Sequence, residues 1–106
     1  MMVLNRFQVD EVDATVFRAD LEAALAVLSA GPGYVDGQIG RNLDDSELWV
    51  LATTWVNVGS YRRALSSYDA KMSAVPLLSR AIDEPSAFET VSTGIPTNRQ
   101  VPREVD

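Results

Sequence analysis

The side chains available for catalysis are restricted, because this sequence of 106 residues contains neither cysteine nor histidine. The chain therefore has no thiolate nucleophile, no imidazole base and no disulfide, and it lacks the usual ligands of zinc, haem and iron–sulfur clusters. Any chemistry must use Asp, Glu, Tyr, Trp, Arg, Asn, Ser or Thr. The acid pair Asp44 and Asp45 indicates a polar turn, and no metal site is predicted there because no further ligands are near it in the sequence.

The candidate aromatic residues lie on one long strand and on the helix after it. Side chains alternate across a strand. One face therefore carries Trp49, Leu51, Thr53 and Trp55, and the other carries Leu48, Val50, Ala52, Thr54 and Val56. Neither face is suited to water, and the helices of so short a chain can cover only one of them. A large exposed apolar patch usually marks an association surface, so we expect a second copy of the protein on the other face.

The elements that position these residues follow from the spacing of apolar side chains and from turn residues. The predicted strands span residues 2–9, 34–43, 48–56 and 87–93. The first predicted helix spans 15–30, carries apolar residues at helical spacing and is ended by Gly31-Pro32-Gly33. The second spans 57–72 with Asn57 as its N-cap, and a short turn covers 75–81. The apolar face of the second helix is expected to consist of Tyr61, Leu65, Tyr68 and Met72. Gly37 and Gly40 mark either a bulge or a close approach to the backbone of the second strand.

The order strand, helix, strand, strand, helix, strand predicts an α+β fold of the ferredoxin-like split βαβ type. It has a four-stranded antiparallel sheet with both helices on one face. Two such sheets packed face to face would form a dimeric α/β barrel, so a homodimer is expected. Residues 1–93 form the predicted domain. Residues 94–106 are predicted to be an extended or disordered tail, or else an arm across the partner with Ile95 and Val101 as anchors.

Composition excludes several classes of partner. The net charge is −6 with nine scattered basic residues, which argues against binding to nucleic acid or to an acidic membrane surface. No apolar run reaches the length of a membrane span, and the first residues do not resemble a secretion signal. We therefore expect a cytoplasmic protein.

Several short motifs together resemble the antibiotic biosynthesis monooxygenase family. They are Gly31-Pro32-Gly33-Tyr34, the hairpin Arg41-Asn42-Leu43-Asp44-Asp45, Trp55 at the end of the third strand, and Tyr61 six residues later. The resemblance covers about residues 2–93. It implies a small dimeric barrel that oxidises aromatic, polyketide-like or quinol-type molecules with molecular oxygen, using no metal or flavin.

The resemblance also implies where the substrate would lie, between the sheet and the helices. The family motif there is an Asn four residues before the strand Trp, that Trp, and a Tyr six residues after it. Trp55 and Tyr61 match and would be catalytic, but the Asn position is Leu51. That departure removes a polar group that would hold the oxygen functions of the substrate.

Other pocket residues are predicted with alternatives open. Asn5 is interior to a strand, where Asn is disfavoured, so it is a candidate substrate contact. Tyr68 is one helical repeat beyond Tyr61 and is predicted to line the same pocket, with Leu51 as a further wall residue. Trp49 is either a core residue or part of the pocket wall. Trp55 is either a core residue or a wall that stacks on a planar substrate and donates its indole N–H. Tyr61 either packs on Trp55 or hydrogen-bonds a substrate oxygen.

Two function classes remain from the sequence. The first is a monooxygenase that works without a cofactor and need only bind, desolvate and assist one proton transfer. The second is a non-catalytic binding or structural dimer of the same fold, which Leu51 favours. The haem-degrading branch of the superfamily is not expected, because its histidine ligand is missing and its Trp position falls near Ala64, although Asn5 matches.

Overall fold

The computed structural model describes residues 1–94 as one four-stranded antiparallel sheet with helices on one face. The strands are β1 (Met2–Gln8), β2 (Tyr34–Arg41), β3 (Leu48–Trp55) and β4 (Ala87–Phe88), in the spatial order β2-β3-β1-β4. The helices are α1 (Ala14–Ser29), α2 (Val58–Leu65) and α3 (Val75–Leu78), with a short 3-10 turn at Glu11–Asp13 and a π-helix at Ala70–Ala74. The predicted ferredoxin-like α+β fold is confirmed. The predicted tail after Gly94 lies outside the described residues.

The core forms between the helices and one face of the central strands. In β3 the side chains alternate strictly: those of Trp49, Leu51, Thr53 and Trp55 are buried. They pack against the apolar stripe of α1, which consists of Phe17, Leu21, Ala24 and Leu28. This stripe was expected from its helical spacing, and its burial supplies most of the favourable free energy of a helix that has no side-chain N-cap.

The second face of β3 is half-exposed in the protomer. Its residues are Leu48, Val50, Ala52 and Thr54, and they continue across β1 to Leu4 and Arg6. Arg6 forms a bidentate ion pair with Glu84, with distances of 2.6 and 2.9 Å. This hydrogen-bonded pairing raises the pKa of Arg6 and lowers that of the Glu84 carboxyl. The surface formed by these residues is called the open face below.

The second predicted helix is wrong in its length and in its buried face. α2 ends at Leu65, the chain turns at Ser66 and Ser67, and the π-helix then runs directly into α3. The fully buried side chains in this region are those of Ala64, Ala70, Ala74 and Leu77, while the predicted Tyr61 and Leu65 are half-buried and pack against the core. Tyr68 and Met72, expected to be buried, are 76% and 63% exposed. The break at Ser66 and Ser67 changes the angular spacing before Tyr68, and the π turn changes it again around Met72, so the i, i+4 count from Tyr61 no longer follows one face.

Two smaller predictions are also corrected. β4 is limited to Ala87 and Phe88, much shorter than the strand predicted over 87–93. The bulge in β2 occurs between Tyr34 and Asp36, not at Gly37 or Gly40. Both glycines instead mark a close approach to the backbone, which was the other alternative. A Cβ at Gly37 would lie 2.6 Å from a Leu25 methyl carbon, and a Cβ at Gly40 would lie 2.9 Å from a Val50 methyl carbon.

Candidate functional site

Trp55 lies at the end of β3 with 1% of its surface exposed, between two tyrosines. Its indole N–H donates a hydrogen bond to the Thr53 hydroxyl, with a distance of 2.8 Å. The Tyr34 ring meets it edge-on at 5.5 Å, and the Tyr61 ring is tilted against it at 5.5 Å. These four residues are called the Trp55 cluster. Because the indole N–H is already bonded to Thr53, Trp55 can offer a ligand its ring but not its N–H in this conformation.

The start of α2 positions Tyr61. Asn57 caps this helix by accepting a hydrogen bond from the Ser60 backbone N–H at 2.8 Å, as the sequence predicts. The Ser60 side chain packs onto Gly33, whose φ of +89° and lack of a Cβ make glycine necessary there. Gly33 in turn accepts a hydrogen bond from the Val56 N–H at 2.8 Å. The turn after α1 and the first turn of α2 are therefore joined, which fixes Tyr61 over Trp55.

The hydroxyl groups of Tyr34 and Tyr61 are free to bind a ligand. Neither has a hydrogen-bond partner within residues 1–94. In that part of the chain the Trp49 indole nitrogen is the only side-chain atom that is both buried and unpaired, so solvent still reaches both hydroxyls. Burial raises the pKa of Tyr61, and burial together with the charge of Asp36 raises that of Tyr34. Both phenols are therefore neutral hydrogen-bond donors at pH 7.

Asn5 and Leu51 face each other across β1 and β3 on the helix-facing side of the sheet. Leu51 is 1% exposed and belongs to the core. Asn5 is half-exposed, and its amide forms no hydrogen bond within the described residues. Four residues separate Leu51 from Trp55, which is about 13 Å along a strand. The pair therefore lies beyond the direct contacts of the Trp55 cluster, at a distance that a ligand of several fused rings would span.

Trp49 belongs to a different group of side chains. Its ring contacts Phe17 at 5.8 Å, and Phe17 contacts Phe7 at 5.1 Å, both edge-on. The guanidinium of Arg41 lies 4.8 Å from the Trp49 ring centre, and that of Arg80 lies 5.2 Å from the Phe17 ring centre. These five residues are called the Trp49 cluster. Six residues separate the two tryptophans, about 20 Å along the strand, so the structure does not bring Trp49 together with Trp55 and Tyr61.

Tyr68 is also apart from the Trp55 cluster. It lies between the end of α2 and the π-helix, and no aromatic contact joins it to Tyr61 or Trp55. With most of its surface exposed, it does not line the pocket that the helical spacing predicted. Tyr34 takes the place expected for Tyr68 as the third aromatic residue. Sequence reasoning noted Tyr34 in a turn motif but assigned it no role.

A cleft of about 280 Å³ opens between the end of α1 and the end of α2. Its walls include Val27, Pro32, Arg63, Ser67 and Asp69. Its floor consists of Gly31 and Ala64, and a Cβ added at Gly31 would lie 3.6 Å from the Trp55 ring. Only two small residues therefore separate this cleft from the Trp55 cluster. Within residues 1–94, no three acidic side chains converge as a metal site requires, and no helix is long and apolar enough to span a membrane.

Comparison with known proteins supports the fold and gives the family. The model of the antibiotic biosynthesis monooxygenase family matches residues 1–72. The cofactor-independent oxygenase SnoaB from Streptomyces nogalater is 23% identical, with a TM-score of 0.71 over 91% of this chain and 96% of that chain. Rv0793 from Mycobacterium tuberculosis is 15% identical, with a TM-score of 0.68 over 89% and 97% of the two chains. A conserved protein from Methanosarcina mazei is 21% identical, with a TM-score of 0.66 over 81% and 84%. None of the curated proteins matches the chain by sequence.

Proposed function

Because the chain belongs to the antibiotic biosynthesis monooxygenase family, we propose that it oxidises an aromatic, polyketide-like or quinol-type molecule with molecular oxygen and without a cofactor. The observation that carries this proposal is the arrangement of Tyr61. Its ring packs on Trp55, while its hydroxyl has no partner within residues 1–94 and is reached by solvent. A neutral phenol held in this way can donate a hydrogen bond to a substrate oxygen. SnoaB, a structural relative, is a cofactor-independent oxygenase.

The proposed reaction needs little acid–base machinery. An anthrone-type substrate loses a proton from its central CH₂ group to solvent, and Tyr61 stabilises the negative charge that develops on the substrate oxygen. The resulting carbanion reduces O₂. One oxygen atom becomes the new quinone carbonyl, the other leaves as water, and the two electron pairs come from the two C–H bonds. The balance requires no external reductant, so a chain without histidine or cysteine can support it.

The other residues take narrower roles in this proposal. Trp55 is a stacking wall, since its N–H is held by Thr53. Asn5 supplies an amide free of protein partners on the same side of the sheet, about 13 Å from Trp55. Leu51 supplies only apolar surface where the family motif has Asn. Tyr68 and Trp49 have no role here, because neither contacts Trp55 or Tyr61.

The second candidate is a binding protein of the same fold that holds an aromatic ligand without oxidising it. Leu51 favours this alternative, because it is buried against the core and offers the substrate no hydrogen bond. Tyr61 and Trp55 are compatible with both candidates, since stacking and one hydrogen bond also suit a ligand that is not turned over. Turnover is therefore the property that separates them.

The test is oxygen uptake with a panel of anthrones and quinols in the presence of a chelator. We expect uptake above the spontaneous rate, and a decrease of about 10²-fold in Tyr61→Phe, the lower end of the range for a positioned proton donor. Tyr68→Phe is the matched control and should retain the wild-type rate, because its hydroxyl lies outside the cluster. Quenching of tryptophan fluorescence without uptake would favour the binding protein. Equal rates in both variants would remove Tyr61 from the chemistry.

We also propose that the open face pairs two protomers into a homodimer. Leu4, Val50 and Ala52 place half-exposed apolar surface at its centre, and Phe88, 44% exposed, lies at its edge. Val50→Asp would bury a charge at such an interface and should convert the dimer to a monomer. The matched control is Val16→Asp on the exposed side of α1. Sedimentation at micromolar concentration gives the mass, and a monomeric wild-type protein would contradict the proposal.

A further inference from the structure

Gly37 provides a slot on the helix-facing side of β2 that only a residue without a side chain can leave open. A Cβ built at this position would lie 2.6 Å from the Tyr34 hydroxyl oxygen and 2.6 Å from a Leu25 methyl carbon. Thr53 forms another wall, with its methyl carbon 3.4 Å from the same point. Glycine weakens a strand interior, and the space of the missing side chain is taken here by the Tyr34 hydroxyl group.

Tyr34 reaches this slot because of the bulge in β2. Residues three apart lie on opposite faces of a regular strand, so Tyr34 and Gly37 would normally point in opposite directions. The register shift between Tyr34 and Asp36 places an extra residue, Val35, in the strand. Tyr34 and Gly37 therefore share the helix-facing side. The Tyr34 hydroxyl lies against the glycine, and the Tyr34 ring meets Trp55 edge-on.

Tyr34 can leave its place in the Trp55 cluster more readily than Trp55 itself. Trp55 is fully buried and hydrogen-bonded to Thr53. Tyr34 is half-exposed, and its hydroxyl is reached by solvent and has no partner within residues 1–94. It opens β2, which is an edge strand of the sheet, directly after Gly33. Rotation of its side chain toward solvent therefore breaks apolar contacts but no hydrogen bond.

We propose that Tyr34 is a removable plug: its side chain fills the slot between Gly37 and Trp55, and one ring of a planar hydroxyaromatic ligand lies there against Trp55 after Tyr34 has turned out. The walls of the slot are apolar, formed by Leu25, the Thr53 methyl group and the Trp55 ring. Its mouth is where solvent reaches the Tyr34 hydroxyl. A ligand that places its aromatic ring against Trp55 and its hydroxyl at Gly37 reproduces the phenol that it displaces. The class of ligand rests on the proposed function.

The test compares the binding of 2-naphthol to variants by calorimetry. The wild-type affinity is reduced by the fraction of molecules in which the plug is closed. Tyr34→Ala removes that competition and should tighten binding about tenfold if roughly one molecule in ten is open. The matched control is Val35→Ala, the exposed neighbour on the same bulge, which should bind as the wild type does. Binding by Tyr34→Ala that is no tighter than by Val35→Ala would overturn the proposal.

A second variant locates the gain in the slot itself. Tyr34→Ala combined with Gly37→Val refills the space with a side chain suited to a strand, at a position where the backbone φ is not positive. The gain in affinity should disappear. If the double variant binds as tightly as Tyr34→Ala, the ligand lies elsewhere and the proposal fails.

A measurement on the wild-type sequence covers the case in which a variant does not fold. The chain has three tyrosines, so 3-fluorotyrosine labelling gives three ¹⁹F resonances, assigned by single Tyr→Phe substitutions. Saturating 2-naphthol should move the Tyr34 resonance to the position of a solvent-exposed tyrosine. A Tyr34 resonance unchanged at saturation would contradict the plug. Displacement of Tyr34 without oxygen uptake from any substrate would instead refute the monooxygenase and leave the plug standing.

Discussion

The two tryptophans of β3 lie on the same face of the same strand, yet their surroundings differ in kind. Trp55 has its N–H bonded to Thr53 and two phenols beside it whose hydroxyls are open to solvent. Trp49 is packed against Phe17 under the guanidinium of Arg41, and its buried N–H has no partner. One end of the face thus combines a rigid ring with available hydrogen-bond donors. The other end is an apolar cluster under two cations.

This difference separates a candidate site from a structural core. A buried N–H without an acceptor costs about 1–3 kcal/mol. Within residues 1–94 the Trp49 indole is therefore held by ring packing and by the guanidinium of Arg41, without a hydrogen bond. In the Trp55 cluster, the indole N–H is hydrogen-bonded to Thr53, and the unpaired groups are the two tyrosine hydroxyls, which solvent reaches. Aromatic content would not distinguish the two ends, whereas the location of unpaired polar atoms does.

The largest expected contrast is between Trp55→Phe and Trp49→Phe. Trp55→Phe leaves the buried Thr53 hydroxyl without its donor as well as opening space, and should lower the free energy of unfolding by about 2–3 kcal/mol. Trp49→Phe removes an N–H that was already unpaired, so the lost packing is partly offset and the expected decrease is about 1 kcal/mol. Urea denaturation measures both. Equal losses would mean that the hydrogen bond to Thr53 does not distinguish the two ends.

A double variant sharpens this result. Thr53→Val removes the hydroxyl that Trp55→Phe leaves unpaired, and Thr53 is 3% exposed. When both partners of a buried hydrogen bond are replaced by apolar groups, the effect is much smaller than when one is removed. The double variant should therefore recover about 1 kcal/mol relative to Trp55→Phe. Strict additivity of the two single losses would show that the two groups are not coupled.

A smaller contrast concerns the cations over the Trp49 cluster. Arg80→Ala removes a guanidinium from the face of Phe17 and should lower the free energy of unfolding by about 0.5–1 kcal/mol. The control is Arg62→Ala on the exposed side of α2, a residue that takes part in no ion pair or ring contact within the described residues. Thermal unfolding of the two variants gives the comparison. An equally large loss of stability in Arg62→Ala would mean that the effect comes from the change in net charge.

The smallest expected difference between the two clusters is in how they affect stability at alkaline pH, and it is absent at neutral pH. Burial raises the pKa of Tyr61 above its ordinary value of 10.0. The unfolded chain therefore releases this proton at a lower pH than the folded protein does. The stability associated with the neutral phenol is complete below pH 10 and decreases as the pH rises through the folded pKa. Tyr61→Phe should reduce this alkaline loss, while Phe17→Leu in the Trp49 cluster should leave it in place. The measurement is the free energy of unfolding as a function of pH. A pH profile in Tyr61→Phe identical to that of the wild type would contradict the prediction.

The strong patterns of the sequence predicted most of the fold. The alternation in β3, the apolar stripe of α1, the Asn57 cap and the Gly31-Pro32-Gly33 stop are local signals, and each is present in the structure. The packing of Tyr61 on Trp55 was one of the two alternatives drawn from the sequence, and their rings are in contact. The location of Tyr68 was wrong because its burial depended on a helix that continued unchanged past Leu65.

The role of Tyr34 could not be predicted because it depends on non-local register. Only the pairing of β2 with β3 places the bulge at Val35, and only the bulge turns Tyr34 toward Gly37 and Trp55. A signal was nevertheless present: Gly37 was noted as a place of close approach. The separation of Trp49 from the site is simpler. The same strand face was taken to mean the same site, although six residues along a strand cover about 20 Å.

The π-helix at Ala70–Ala74 has a consequence for how this chain aligns with its relatives. A π turn accommodates one residue more than an α turn and is the typical structural result of a single-residue insertion within a helix. Deleting Ser73, which is exposed, should therefore be tolerated better than deleting a residue inside α1. The match to the family ends at residue 72, within this turn. We therefore expect positions beyond Ala74 to align with the relatives only after a gap of one residue is allowed.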